Sequence, residues 1–99
     1  MNLNDITKKM KELSTLNAGK IDAKIKFEFS DGSVLIDDTV SPPTISNDNN
    51  DADCVIEINN ENFSKILNKK MNSMSAFMTG KMKIKGEMGI AMKLSSLFD

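Results

Sequence analysis

An α+β fold is predicted: a largely antiparallel sheet with one wet face and helices packed on the other. Three observations carry it. Residues 21–29 alternate apolar and polar without a fault, the signature of a half-buried strand. Asp31-Gly32 follows at once, a hairpin dipeptide. Strand-like and helix-like segments then succeed one another as helix, three strands, strand, two helices, strand, helix. The 99 residues form one domain, residues 1–99, with no internal repeat and no linker.

Taken in order, Leu3, Ile6, Met10, Leu13 and Leu16 recur at spacings of three and four and predict an amphipathic helix over residues 3–17. Asn2 or Asn4 can cap it, Asp5 favours its first turn, and Gly19 suits its left-handed exit. Lys8, Lys9, Lys11 and Glu12 fall on the solvent side. In residues 21–29 the residues Ile21, Ala23, Ile25, Phe27 and Phe29 point inward. Asp22, Lys24, Lys26 and Glu28 point to water. Val34, Leu35 and Ile36 make the return strand. Pro42 and Pro43 then interrupt the chain, and residues 44–46 suit a short edge strand. Residues 47–53 (NDNNDAD) read as a polar turn. Residues 54–58 (CVIEI) are a strand with Cys54, Ile56 and Ile58 on one face. Asn59 or Asn60 caps a helix carrying Phe63, Ile66 and Leu67. A second short helix carries Met74, Phe77 and Met78 and ends at Gly80. Residues 81–85 (KMKIK) are the last strand, with Met82 and Ile84 inward. Gly86 leads into a final helix over residues 87–98. The two helices before the last strand are long enough for a crossover, so that strand is expected to be able to run parallel to its predecessor.

Composition removes much chemistry. The net charge of −1 selects no nucleic acid. All 13 basic residues are lysine, so the bidentate guanidinium fork is absent. Without histidine there is no Ser-His or Cys-His pair and no imidazole ligand. Cys54 is the only cysteine, which excludes an intrachain disulfide and points to a reducing compartment. Its alternation with Ile56 and Ile58 makes it a small core residue. Asp48, Asp51 and Asp53 do not make a calcium loop, because the sixth and twelfth positions counted from Asp48 hold Asp53 and Asn59. A carboxylate enzyme would need an acid pair, and Glu57 and Glu87 have no evident partner. No apolar run approaches the ~20 residues of a membrane span. The N-terminus lacks the apolar core of a signal peptide, so a cytoplasmic location is expected.

The stretch from 71 to 98 holds Met71, Met74, Met78, Met82, Met88 and Met92, six of eight methionines. Methionine is flexible and polarizable and fills irregular space. Such a wall can close a core or line a cavity for an apolar ligand. The final helix carries two apolar rows, Ile90, Leu94, Leu97 and Phe98 in one, and Met88, Ala91 and Met92 in the other. Glu87, Lys93, Ser95 and Ser96 are its polar positions. A surface helix normally shows one stripe, so the second row needs further core, a ligand, a partner subunit or a membrane surface. Lys24 and Lys26 on one strand, with Lys81, Lys83 and Lys85 on another, read as a solvated sheet face or as a docking face for anionic headgroups. No aromatic residues lie between them to stack on bases.

Residues 72–86, NSMSAFMTGKMKIKG, followed by Met88-Gly89 and Ala91-Met92-Lys93-Leu94, closely resemble the signature of the sterol carrier protein type 2 family. Residues 53–58 and Asn62-Phe63 resemble its strand-then-helix pattern. The resemblance implies a five-stranded mixed, mostly antiparallel sheet with helices over one face and a hydrophobic tunnel between them. It implies non-enzymatic binding or transfer of fatty acids, fatty acyl-CoA or sterol-like lipids, with no cofactor. Carried over by position, the ligand wall comprises Phe77, Met78, Met82, Ile84, Met88, Ala91, Met92 and Leu94. Some eukaryotic members end in a peroxisomal tripeptide, which Ser96-Leu97-Phe98-Asp99 does not match. The rival reading is an interaction module, a homodimer through the C-terminal helix, with no physiological lipid.

Overall fold

The computed structural model describes residues 1–98, with backbone alone at Ser95 and Ser96. The apolar stripe at the N-terminus forms α1 (Leu3–Leu16). Asn2 and Asp5 close a capping box: the Asp5 N–H donates to Asn2 Oδ1 at 2.9 Å and the Asn2 N–H to Asp5 Oδ2 at 3.4 Å. Ile6 and Met10 are fully buried, whereas Leu16, expected on the same stripe, is 79% exposed. The strands are β1 (Lys24–Phe29), β2 (Gly32–Asp37), β3 (Thr44–Ser46), β4 (Cys54–Ile58) and β5 (Met82–Gly86). The helices α2 (Asn60–Leu67) and α3 (Ser73–Met78) separate β4 from β5, and α4 (Met88–Lys93) and α5 (Ser95–Phe98) follow.

The sheet order is β3-β2-β1-β4-β5. The expected hairpin is present, with Ile25 opposite Ile36 and Phe27 opposite Val34. Its two loop residues are Ser30 and Asp31, with Gly32 already paired to Phe29. The strand starts three residues later than its alternation. Asp22 adopts φ +50°, and the Asp38 carboxylate accepts the N–H groups of Gly19, Ile21 and Asp22, each at 2.9 Å. These amides are satisfied by a side chain instead of a strand partner.

Three expectations need correction. β5 runs antiparallel to β4, with Ile58 opposite Met82 and Ile56 opposite Ile84. The two helices go out and return to the end of β4 that the chain left, so their length is spent on a round trip. The parallel pair is β1 with β4. Lys26, expected in water, is only 7% exposed. Its Nζ donates to Asn49 Oδ1 at 2.9 Å and lies 3.4 Å from Glu28 Oε2, so the polar loop over residues 47–53 covers the outer face there. Finally, the single helix over 87–98 is two, separated at Leu94. Ile90, Leu94, Leu97 and Phe98 are buried, while Met88 and Met92 are exposed. The polar assignments at Ser95 and Ser96 lie outside the described side chains.

The core sits between the inner sheet face and the helices. Phe27 is fully buried. Its ring centroid lies 5.3 Å from Phe63, 6.2 Å from Phe98 and 6.4 Å from Phe29. These rings join β1 to α2 and α5, in the offset and edge-on arrangements aromatic quadrupoles favour. Replacing Phe27 by alanine should cost about 3–5 kcal/mol, much of the stability of a domain this small. Equilibrium denaturation with urea measures it, and a loss under about 1 kcal/mol would show that the cluster is not the keystone.

Candidate functional site

The inner face of β5 presents Met82, 3% exposed, and the partly buried Ile84. Two short helices pack over them. Asn72 starts α3, its Oδ1 accepting the N–H groups of Met74 at 2.9 Å and Ser75 at 3.2 Å. The placement of α4 rests on Gly86. Its φ is +99°, and a Cβ there would meet the Asp53 carbonyl oxygen at 2.5 Å. Only glycine permits that approach, and it lets the Glu87 N–H donate to Asp53 O at 3.2 Å. The chain thereby turns off the sheet edge and back across the inner face.

Between α3, α4 and β5 lies a cavity of about 170 Å³, lined by Ser73, Met74, Phe77, Met82, Ile84, Met88, Ala91, Met92 and Leu94. Ser73 is its one polar lining residue. One wall is dry: Leu94 and Met82 are 2% and 3% exposed. The opposite wall is wet: Met74, Met88 and Met92 are 48%, 45% and 63% exposed. The same methionines touch cavity and solvent. No titratable side chain lines the space, so its only chemistry is dispersion and the exclusion of water.

Of the eight residues singled out by position, the structure brings seven to this cavity: Phe77, Met82, Ile84, Met88, Ala91, Met92 and Leu94. Met78 is not among the lining residues and is 76% exposed. Ser73 and Met74 were not singled out. For Met74 the signal existed, since it precedes Phe77 by three residues on α3.

Other groups have structural duties. Asp53 Oδ2 accepts the Lys24 N–H at 3.0 Å, which ties the 47–53 loop to β1. Among the described residues, no three His, Cys, Asp or Glu side chains are placed to hold a metal ion. No helix among them is long and apolar enough to cross a membrane. Cys54 is fully buried beside β5, opposite Gly86. Burial pushes its thiol above the usual range, and the charges of Asp53 and Glu87 push the same way.

A mixed five-stranded sheet with an apolar cavity beneath its last helices defines a small α+β domain of the sterol carrier type. The chain belongs to the SCP-2 sterol transfer family, whose model matches residues 3–99. It is 34% identical to human sterol carrier protein 2 over 100 residues, covering 94% of this chain and 18% of that protein. It is 46% identical to hydroxysteroid dehydrogenase-like protein 2 of Xenopus tropicalis over 46 residues, covering 46% of this chain and 11% of that protein. The chain thus spans under a fifth of these relatives. Its fold matches the solution structure of sterol carrier protein domain 2 of Helicoverpa armigera with a TM-score of 0.77, at 26% identity, over 98% of this chain and 89% of that one. Apo sterol carrier protein 2 of Yarrowia lipolytica matches with a TM-score of 0.71, at 24% identity, over 98% and 79%.

The raised thiol pKa fixes a pH dependence. The folded state favours the neutral thiol, so this contribution is full below the unfolded thiol pKa of about 8.5 and is lost as pH rises from there through the folded value. Alkylation of Cys54 at pH 8 should be at least about tenfold slower than that of a free thiol, and urea should abolish the difference. Equal rates in native and unfolded protein would show that the thiol is accessible.

Proposed function

We propose that this chain binds and carries hydrophobic molecules, such as fatty acids, fatty acyl-CoA or sterol-like lipids, without covalent chemistry. The carrying observation is the cavity under α3 and α4, with a single polar lining residue and methionines on its open side. Each ligand methylene taken out of water there contributes about 0.8 kcal/mol. With so little polar anchoring, selection rests on size and shape, and a range of apolar ligands should compete.

The present volume of about 170 Å³ is below the roughly 300–1,000 Å³ of a pocket that encloses a drug-sized ligand. A long chain therefore enters by displacing side chains or α4. Two features favour that movement. α4 has six residues, and its N-cap Glu87 makes no side-chain capping bond. Methionines change rotamer at little cost, so the wall deforms before the fold does. A cytoplasmic setting accompanies the reading, in keeping with one buried, reduced cysteine.

A second reading rests on the exposure of Met74, Met78, Met88 and Met92. A second copy would cover that face, and the protein's mass in solution would then rise with concentration.

Two substitutions separate cavity from core, because their sites differ in exposure. Met92→Glu, at a position 63% exposed, should leave the melting temperature within a few degrees. It should weaken binding of a fluorescent fatty acid at least tenfold, or about 1.4 kcal/mol. Met82→Glu, at a position 3% exposed, should lower the melting temperature sharply, since it buries an unpaired carboxylate. Unchanged fatty-acid affinity in Met92→Glu would move the site elsewhere. Native mass spectrometry of the protein from its own cell, with extraction of bound lipid, identifies the ligand.

A further inference from the structure

Composition narrows what an oxidant can attack on this chain. It has no tryptophan, tyrosine or histidine, and one cysteine. Cys54 is fully buried, and burial holds its thiol in the neutral, unreactive form. The thioethers remain. Of the eight methionines, Met10 and Met82 are buried and Met71 is partly buried. Met1, Met74, Met78, Met88 and Met92 are exposed. Three of these, Met74, Met88 and Met92, line the cavity. The open wall of the cavity is therefore also the oxidisable part of its lining. The methionines that support the core, Met10 at 0% and Met82 at 3% exposure, are the shielded ones.

We infer that Met74, Met88 and Met92 form a modification site for hydrogen peroxide, and that their oxidation to sulfoxides expels apolar ligands while the fold stays intact. The effect on ligands rests on the lipid-carrier reading; the modification itself does not. In each event a thioether sulfur attacks one peroxide oxygen with a lone pair. The S–O bond forms as the O–O bond breaks. The departing hydroxide takes the remaining proton from the new S–OH group and leaves as water. Sulfur gives up two electrons and the peroxide accepts them. The product is a strong hydrogen-bond acceptor where an apolar group stood. Turned inward, its oxygen meets a lining whose one polar residue is Ser73, and one hydroxyl cannot serve three sulfoxides. Turned outward, the side chain no longer covers an acyl chain. Both positions remove apolar contact from the ligand, and the first also leaves a polar oxygen without a donor. The change is reversible, because sulfoxide reductases return the thioether.

Met78 is the internal control, since it shares α3 with Met74 and is exposed but does not line the cavity. The whole chain is treated with hydrogen peroxide, the peroxide is removed, and each methionine is scored for an added oxygen by peptide mass spectrometry. Met74, Met78, Met88 and Met92 should oxidise at least about tenfold faster than Met10 and Met82. Affinity for a fluorescent fatty acid, measured before and after treatment, should fall at least about tenfold, with the circular dichroism melt retained. Methionine sulfoxide reductases A and B should restore it. Met78→Leu should show the same fall. In the triple variant Met74→Leu, Met88→Leu, Met92→Leu the affinity, whatever its starting value, should not respond to peroxide. The proposal is overturned if Met10 and Met82 oxidise as fast as the exposed methionines, if the oxidised protein keeps its affinity, or if the triple variant loses as much on treatment as the native chain. Absence of binding by the untreated protein would reject the carrier reading, and the effect on ligands with it. Binding that survives oxidation rejects this proposal alone.

Discussion

A five-stranded sheet with one apolar face must have that face covered along its whole width, and here the cover is made of two materials. Over β1, β2 and β4 it is rigid. α1 supplies Ile6 and Met10, both fully buried, and the rings of Phe27, Phe63 and Phe98 lock β1 to α2 and α5. Over β5 the cover is two six-residue helices bearing methionine. Aromatic rings have few rotamers and large contact areas. Methionine has three rotatable bonds and no fixed shape. The first material gives the domain its stability, and the second leaves a space of about 170 Å³. The position of the cavity follows from where the sequence changes from phenylalanine to methionine.

Carboxylates hold the periphery of this arrangement in place. Asp31 Oδ2 accepts the Leu3 N–H and its Oδ1 accepts from Asn60 Nδ2, each at 3.0 Å, which joins the starts of α1 and α2 to the hairpin. The Asn60 bond is the chief reason that the Asp31 carboxyl sits below its usual range. Its stabilisation is therefore present above the unfolded value of about 3.9 and is lost as pH falls below it. Asp38 gathers three backbone amides before β1, and Asp53 ties the loop to β1 and sets α4 through its carbonyl. None of these acids faces the cavity lining. The polar interactions are used on architecture, which leaves the site apolar.

Much of this was legible in the sequence for physical reasons. Period-two alternation fixed the faces of β1 and β5 because one face is buried and the other is wet. Seven of the nine lining residues were legible because residues 72–86, with Met88-Gly89 and Ala91–Leu94, resemble a known family at those positions, although the same resemblance also pointed to Met78, which faces water. What failed to show was long-range. That Lys26 is buried depends on Asn49, 23 residues away, and periodicity carries no information about a loop that folds back over a sheet. The direction of β5 depends on whether two helices cross the sheet or return, and both paths fit the same length. The break at Leu94 lies in a run without glycine or proline. No breaker residue marked it, and the spacing of Ile90, Leu94, Leu97 and Phe98 fits one continuous helix equally well.

The division between a rigid and a soft cover also explains how such a domain can hold a ligand and still let it go. A cavity enclosed by aromatic rings would resist both entry and exit, since moving one ring disturbs several neighbours in a close-packed interior. Here the wall that must move is separated from the wall that must not. Ile90 and Leu94 fasten the base of α4 to the core at 8% and 2% exposure, while Met88 and Met92 on the same helix stand 45% and 63% exposed. Rotation of those two side chains changes the cavity without disturbing Phe27 or Phe63. Gly86, where the chain leaves β5 for α4, is held by the close carbonyl of Asp53, 2.5 Å from where a Cβ would stand. That contact fixes where α4 leaves β5, because moving the strand end away from β4 gives up the bond from Glu87 to Asp53.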